Sequence, residues 1–279
     1  MSVITAVILG AVQGITEFLP VSSSGHLVLL QKIFGITEPV LFFDIMVHVG
    51  TLAAVFAVLK RDIWDILRRI IQPLTGYLVT GTLPAVIAAL VFRDYIEKAF
   101  ASGAFLGFAF LITSAMLALS ELACRNNAAA DAGNPGTAVP ADGKTAMKWS
   151  DALVIGIFQA AAIVPGISRS GATLSGSLFR KLDRNFAARF SFLLSIPAIV
   201  GALVLQLKDM AGGAAGGEAA GIGAAPLIAG TLTAAVVGFF SIRLMLKIIR
   251  ERSLIIFAIY TAALGVLALI DTFGTHLFL

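Results

Sequence analysis

The sequence predicts an all-α polytopic membrane protein: six transmembrane helices plus two re-entrant helix–loop–helix hairpins, arranged as an inverted-topology repeat. Three observations predict it. Only 13% of the 279 residues are charged and 58% are hydrophobic, with a mean hydropathy of +0.96, whereas soluble domains carry about 25% charged residues. Six apolar stretches approach the roughly 20 residues that a helix needs to cross a bilayer. Two further apolar regions are each broken in the middle by a polar turn containing Pro and Gly.

The composition excludes a disordered chain and a nucleic-acid partner, and it argues against a soluble enzyme. The net charge of +4 needs no acidic partner, because membrane proteins gather Lys and Arg on one face. A single cysteine, Cys124, rules out an intrachain disulfide and a thiolate zinc site. No basic residue precedes the first apolar run, and Thr16-Glu17 stands where small residues would mark cleavage. No removable leader is therefore expected.

In chain order, residues 2–19 and 21–34 flank Pro20–Gly25 and form the first hairpin. Its second limb is too short to span. Spans follow at 41–60, 76–92 and 103–123. Between the first two, Ile63, Ile66, Leu67 and Ile70 recur at helical spacing within 62–71, which predicts a helix lying along the interface. A linker over about 125–149, rich in Asn, Gly, Pro and Asp, reads as a surface loop. Residues 151–164 and 172–181 flank Pro165–Gly171 and form the second hairpin. Spans at 187–207, 226–247 and 253–272 complete the chain, with a Gly- and Ala-rich linker over about 208–225. A broken backbone at membrane depth survives only where protein buries it or it lines a wet cavity. The whole reads as one integral domain: a first repeat over about 1–123, a linker over about 124–149 and a second repeat over about 150–279.

The repeat is read directly. Adding 146 carries Gly10 to Gly156, Gln13 to Gln159, Ser22 to Ser168, Ser24 to Ser170 and Gly25 to Gly171, without a gap. Gly81-Thr82-Leu83 recurs as Gly230-Thr231-Leu232 at an offset of 149. Each half then holds one hairpin and three spans. Three is odd, so the halves have opposite orientation, a plan that brings broken helices together near the midplane. Basic residues test it: fifteen of the twenty Lys and Arg fall on one face, Lys32, Arg93, Lys98 and Lys208 on the other, and Arg169 in the second hairpin. The positive-inside rule makes the fifteen-residue face cytoplasmic, so the termini and the first hairpin's entrance are expected outside.

The chemistry sits in the two breaks. Gly10, Gln13, Gly14 and Glu17 form one stripe on a helix, and an acid at the bilayer centre carries a penalty of about 2.5–3.5 kcal/mol. Something must offset that for Glu17. Ser22-Ser23-Ser24-Gly25-His26 offers hydroxyls and free backbone N–H groups at a helix start, which suits capping and also an anion. Ser168-Arg169-Ser170-Gly171-Ala172-Thr173 supplies a guanidinium that stays charged and needs an anion, either Glu17 or a phosphate. Under the offset, Glu17 meets Ile163, Ser23 meets Arg169 and His26 meets Ala172. The shared residues are scaffold. The differing ones are chemically capable, and together they suit phosphoryl transfer. Asp44 and His48 share a face of the first full span, as support to the site or as a packed polar pair. Glu121 and Asp271 are expected at the interface, Trp64 and Trp149 as interface anchors, and His276 as inert.

Two segments, Gly10-Ala-Val-Gln13-Gly-Ile-Thr-Glu17-Phe-Leu-Pro20-Val-Ser-Ser-Ser-Gly-His26 and Pro165-Gly-Ile-Ser-Arg169-Ser-Gly-Ala-Thr173, resemble the two signatures of the undecaprenyl-diphosphatase family, the bacitracin-resistance phosphatases. The resemblance runs the length of the chain. It implies hydrolysis of undecaprenyl diphosphate to the monophosphate at the outer face of a bacterial inner membrane, which recycles the cell-wall lipid carrier. It also implies a divalent cation, magnesium or calcium, held at Gln13 and Glu17. Gln13 fills a place where the family takes Gln or Glu, which leaves Glu17 as the one carboxylate of the stripe. By match of motif, Glu17, Ser23, His26 and Arg169 are the catalytic candidates, with Ser23 as nucleophile or phosphate binder, His26 as the neighbouring base or acid, and Glu17 with Gln13 holding the metal or orienting His26. Ser22, Ser24, Ser168, Ser170 and Thr173 are candidates for binding the diphosphate. At this stage Ser23, His26 and a metal-bound water all stand as the attacking group. The expected partners are a polyprenyl diphosphate lipid and the bilayer, and a homodimer is left open.

Two other readings compete. Inverted repeats with broken helices also serve secondary transporters, so transport or flipping of an anionic lipid is the alternative function. Ser23-Ser24-Gly25-His26 also imitates the Pro-Ser-Gly-His motif of another membrane phosphatase superfamily. That chemistry wants a second His after a Ser-Arg motif, and no His lies between Arg169 and Thr275.

Overall fold

The computed structural model describes residues 1–36, 40–92, 95, 105–132, 147–211, 222–275 and 277. Much of the two expected linkers (133–146 and 212–221) lies outside the described residues, as do Arg93, Lys98, Lys144 and His276.

Eleven α-helices and no strand occur among the described residues. The first pair is α1 (Val3–Thr16) and α2 (Ser23–Ile33). Ser2 starts α1 by accepting the Thr5 N–H at 3.0 Å. Ser22, held at φ 71°, starts α2 by accepting the Gly25 N–H at 3.3 Å. Next come α3 (Leu41–Val58), α4 (Lys60–Arg68), α5 (Pro73–Val91, with Pro at its first position) and α6 (Leu106–Ala132). The second half repeats the order: a short pair, α7 (Trp149–Ala161) and α8 (Arg169–Phe179), then α9 (Arg184–Ala211), α10 (Ala224–Glu251) and α11 (Ile255–Ile270), with a π-helical turn over Asp271–Thr275. Ser168 caps α8 by accepting the Gly171 N–H at 3.0 Å, as Ser22 caps α2.

Six of these helices are long and apolar enough to cross a membrane: Leu41–Val58, Pro73–Val91, Leu106–Arg125, Arg184–Leu205, Ala224–Glu251 and Ile255–Thr275. They coincide with the six expected spans. α10 shows why they belong in lipid. Ile228, Leu232, Val236, Phe240 and Leu244 recur every fourth residue, and all are more than half exposed. Gly230, Ala234, Gly238 and Ser241 face inward. In water such a stripe would be a large exposed apolar patch. In hydrocarbon it is the solvent-facing side of the helix. α4 covers most of the helix expected over 62–71, with Ile63 packed inward, Trp64 and Leu67 exposed and Ile70 beyond its end.

The two halves exchange helices. α1 packs on α10 of the second half, and α7 packs on α5 of the first. Glycines allow both approaches. A Cβ at Gly10 would collide with the Gly230 carbonyl oxygen, and one at Gly156 would lie 2.6 Å from the Gly81 carbonyl oxygen. Gly10 and Gly156 correspond in the repeat, as do Gly81 and Gly230, so the contacts are reciprocal. Small residues at such crossings let membrane helices gain close van der Waals contact. A core of Phe18, Val55, Leu117, Leu174, Phe192 and Ile242 joins both halves next to the first turn, and Phe18 meets Phe192 edge-on at 5.5 Å.

Glu121, expected at the interface, is buried among helix ends at 3% exposure. Arg184 grips its two carboxylate oxygens at 2.9 and 2.8 Å, and the Leu254 N–H reaches it at 3.2 Å. A buried carboxylate needs such partners, and here they come from the start of α9 and the approach to α11.

Candidate active site

The turns between α1 and α2 and between α7 and α8 meet face to face. α1 ends at Thr16, which releases Glu17 into the first turn. Gly166, at φ +88°, bends the second turn so that its N–H donates to Ser24 Oγ at 3.3 Å. Ser170 Oγ crosses the other way and donates to the Leu19 carbonyl at 3.0 Å. Thr113 of α6 holds the second turn by accepting the Ser168 N–H at 3.0 Å.

Glu17 is the hub. It is 4% exposed, and four side chains converge on it. Arg169 Nη2 donates to Oε1 at 2.6 Å. Ser23 Oγ donates to Oε2 at 2.6 Å, and Gln13 Nε2 donates to the same oxygen at 3.0 Å. His48 Nε2 lies 3.5 Å from Oε2, with its Nδ1 turned to the Asp44 carbonyl at 2.6 Å. Gln31 Nε2 in turn donates to Asp44 Oδ1 at 2.7 Å. The guanidinium is what lets the carboxylate stay buried and charged, since an isolated buried ion costs several kcal/mol.

The second-turn residues aim that guanidinium. Arg169 Nη1 also donates to the Ser191 carbonyl at 3.4 Å. Thr173 is fully buried; it bonds to the Arg169 carbonyl at 2.9 Å and to Ser191 Oγ at 2.5 Å. Ser168 and Ser170 are each 2% exposed, with their hydroxyls 3.3 Å apart. These hydroxyls are engaged with protein groups that fix the start of α8. In the first turn, Ser22 Oγ lies 3.4 Å from Ser24 Oγ.

His26 stands apart from the carboxylate. Its Nδ1 is 2.6 Å from the Ser22 carbonyl, and its Nε2 is 2.7 Å from the Tyr260 hydroxyl. The structure therefore joins Gln13, Glu17, Ser23 and Arg169 in one hydrogen-bonded cluster, with His26 in the adjacent turn of α2. It adds His48, which the sequence left between two roles, and Tyr260, which the sequence did not single out. The only local signal for His48 was its spacing from Asp44. Tyr260 gave none, because its partner is 234 residues away.

Among the described residues no group of three or more His, Cys, Asp or Glu could hold a metal. Gln13 is fully buried and its Oε1 has no hydrogen-bond partner, and its amide touches the Glu17 carboxylate. The repeat counterpart Gln159 also leaves Oε1 unpartnered, but Ile163 stands where a carboxylate would be. An amide oxygen and a carboxylate are the donor types that magnesium and calcium take.

Similarity to known proteins extends over nearly the whole chain. The family model described as bacitracin resistance protein BacA matches residues 6–267. The undecaprenyl-diphosphatase of Carboxydothermus hydrogenoformans is 44% identical over 270 residues, covering 97% of each chain. Undecaprenyl-diphosphatase 4 of Bacillus thuringiensis subsp. konkukian is 42% identical over 269 residues, covering 96% of this chain and 97% of its own. The undecaprenyl-diphosphatase of Methanosphaera stadtmanae is 37% identical over 292 aligned positions, covering 97% of this chain and 98% of its own.

Proposed function

This multi-pass membrane protein belongs to the bacitracin resistance protein BacA family, and from that premise we propose that it is a phosphatase converting undecaprenyl diphosphate to undecaprenyl phosphate and inorganic phosphate, thereby recycling the cell-wall lipid carrier. One observation carries the reading: the Glu17 carboxylate is bonded at once to the Ser23 hydroxyl and to the Arg169 guanidinium, each at 2.6 Å, from two different turns. A nucleophile, its proton acceptor and a phosphate-binding fork thus share one atom cluster.

The roles follow. The diphosphate docks between the two turns and takes up the guanidinium of Arg169, whose planar fork suits phosphoryl oxygens. Ser23 Oγ attacks the terminal phosphorus, and its proton passes to Glu17 Oε2. The bond from that phosphorus to the bridging oxygen breaks, and its electron pair leaves with the lipid monophosphate. Water then attacks the serine phosphate, inorganic phosphate departs and Ser23 regains a proton. His26 does not compete for the serine proton, because its Nε2 is bonded to Tyr260. Fixed geometry and charge stabilisation supply most of the acceleration in phosphoryl transfer. A magnesium or calcium ion held by Gln13 Oε1 and Glu17 would neutralise charge on the phosphoryl oxygens.

The same reading makes α1–α2 and α7–α8 re-entrant hairpins of an inverted repeat, with the site open to the extracytoplasmic side of the bacterial inner membrane. Support comes from the reciprocal glycine contacts and from the bias of basic residues. The test is phosphate release from a C55 prenyl diphosphate by detergent-purified protein, where no gradient exists. We expect release by the wild type and a fall of about 10³-fold or more for Ser23→Ala. A Ser23→Ala variant with near-normal turnover removes serine from the nucleophile role. Failure of the wild type to release phosphate from any long-chain prenyl diphosphate favours lipid transport instead.

A further inference from the structure

His26 is held at both ring nitrogens, and the partners decide its tautomer. The Ser22 carbonyl, 2.6 Å from Nδ1, can only accept, so Nδ1 carries the hydrogen. In the neutral ring Nε2 is then the lone-pair nitrogen, and the Tyr260 O–H donates to it at 2.7 Å. The ring cannot turn freely. Its plane lies within 8° of the Tyr260 ring, and Phe110 meets it edge-on with centroids 5.6 Å apart. His26 is 9% exposed and Tyr260 is 47% exposed, so the phenol links a buried imidazole to the outer side of α11.

Resting on the phosphatase reading above, we infer that Tyr260 is a positioning residue: its hydroxyl engages Nε2, the lone-pair nitrogen of the Nδ1–H tautomer that the Ser22 carbonyl sets, and so fixes the imidazole and keeps Nε2 on the side of the ring facing α11. This keeps the imidazole off the Ser23–Glu17 pair and leaves Glu17 as sole acceptor of the serine proton. It also places one second-half residue in control of a first-half imidazole. The phenyl ring alone cannot do this, since the lock is the hydroxyl.

The experiment uses full-length protein labelled with ¹⁵N-histidine in detergent micelles. The chain has three histidines, so the spectrum is sparse, and His48 and His276 serve as internal references. The wild type should show His26 with Nδ1 protonated and Nε2 accepting a hydrogen bond. Tyr260→Phe keeps the ring and removes the hydroxyl. Its His26 Nε2 resonance should move while the His48 pair stays. Its kcat should fall about tenfold, with KM within about twofold, because a positioning loss acts on the reaction rather than on docking. A wild-type spectrum with His26 protonated at Nε2 alone overturns the inference without any variant. So does a Tyr260→Phe enzyme with unchanged His26 resonances or unchanged kcat. An inactive wild type sinks the phosphatase reading instead, and the spectra still judge the Tyr260–His26 contact.

Discussion

Arg169 is a side chain on which stability and the proposed chemistry converge. In the substrate-free protein it neutralises Glu17 at 2.6 Å. Removing one partner of such a buried pair typically costs about 3–5 kcal/mol. On the proposed mechanism, the oxygens of an arriving diphosphate compete for the same fork, and Glu17 is freed to take a proton. Lysine keeps the charge but offers a compact ammonium in place of a planar fork. Arg169→Lys should therefore fold and yet lose about 10²-fold in kcat/KM, read as phosphate release from a prenyl diphosphate. A lysine variant within twofold of the wild type would show that charge alone suffices. Glu17, Ser23 and Arg169 were legible in the sequence because they are where the repeat departs from itself: Ile163 faces Glu17 across the offset, and Ser23 faces Arg169. His48 was half-legible. Its spacing from Asp44 was visible, but the approach to Glu17 is tertiary and leaves no mark on local pattern. Tyr260 was hidden for the same reason, since an aromatic residue on an apolar helix is ordinary until its partner is known.

Helix contacts depend on a few glycines, and two of them set up a controlled comparison. Gly10 and Gly201 both lie within helices, where alanine is intrinsically favoured over glycine by about 0.8–1 kcal/mol. At Gly201 a Cβ would meet nothing within 4 Å. At Gly10 it would strike the backbone of Gly230, which cannot swing aside as a side chain can. Overpacking of this kind costs about 1–3 kcal/mol, enough to outweigh the propensity gain. Gly201→Ala should hold or raise the melting temperature in detergent, and Gly10→Ala should lower it by several degrees. Equal melting temperatures would mean that α1 and α10 can slide apart at no cost. Helix existence was readable from apolar run length, and the broken pairs from Pro20 and Pro165. Helix ends were less so. α9 starts at Arg184, three residues before the expected span, because Asp183 caps it by accepting the Phe186 N–H at 2.9 Å. The serine hydroxyls of the second signature suggested anion binding as readily as capping. Ser168 and Thr173 turn out to be bonded to the backbone around α8, a use that local sequence does not separate from the other.

The reciprocal exchange of α1 and α7 between halves has a topological consequence. If the halves are oppositely oriented, α1–α2 enters and leaves by one face and α7–α8 by the other. The two turns then approach from opposite sides and meet inside the lipid layer, which is what brings Ser23 and Arg169 to a single carboxylate. The charge bias gives the expected direction: the sequence-based topology assigns Lys32 and Lys208 to the sparse face, and Lys148 and Lys181 to the rich face that the positive-inside rule makes cytoplasmic. The chain has one cysteine, Cys124, so a Cys124→Ser background gives a clean slate for single reporters. Ser2→Cys and Lys32→Cys bracket the first hairpin, and Lys148→Cys and Lys181→Cys bracket the second. In intact cells a membrane-impermeant maleimide should label the first two and leave the last two untouched until the membrane is opened. Labelling split within either pair would mean that the hairpin crosses the bilayer. Labelling of all four from outside would mean that the halves share one orientation. In either case the two turns would no longer arrive from opposite faces, and a Glu17 shared by Ser23 and Arg169 would need another geometry to explain it.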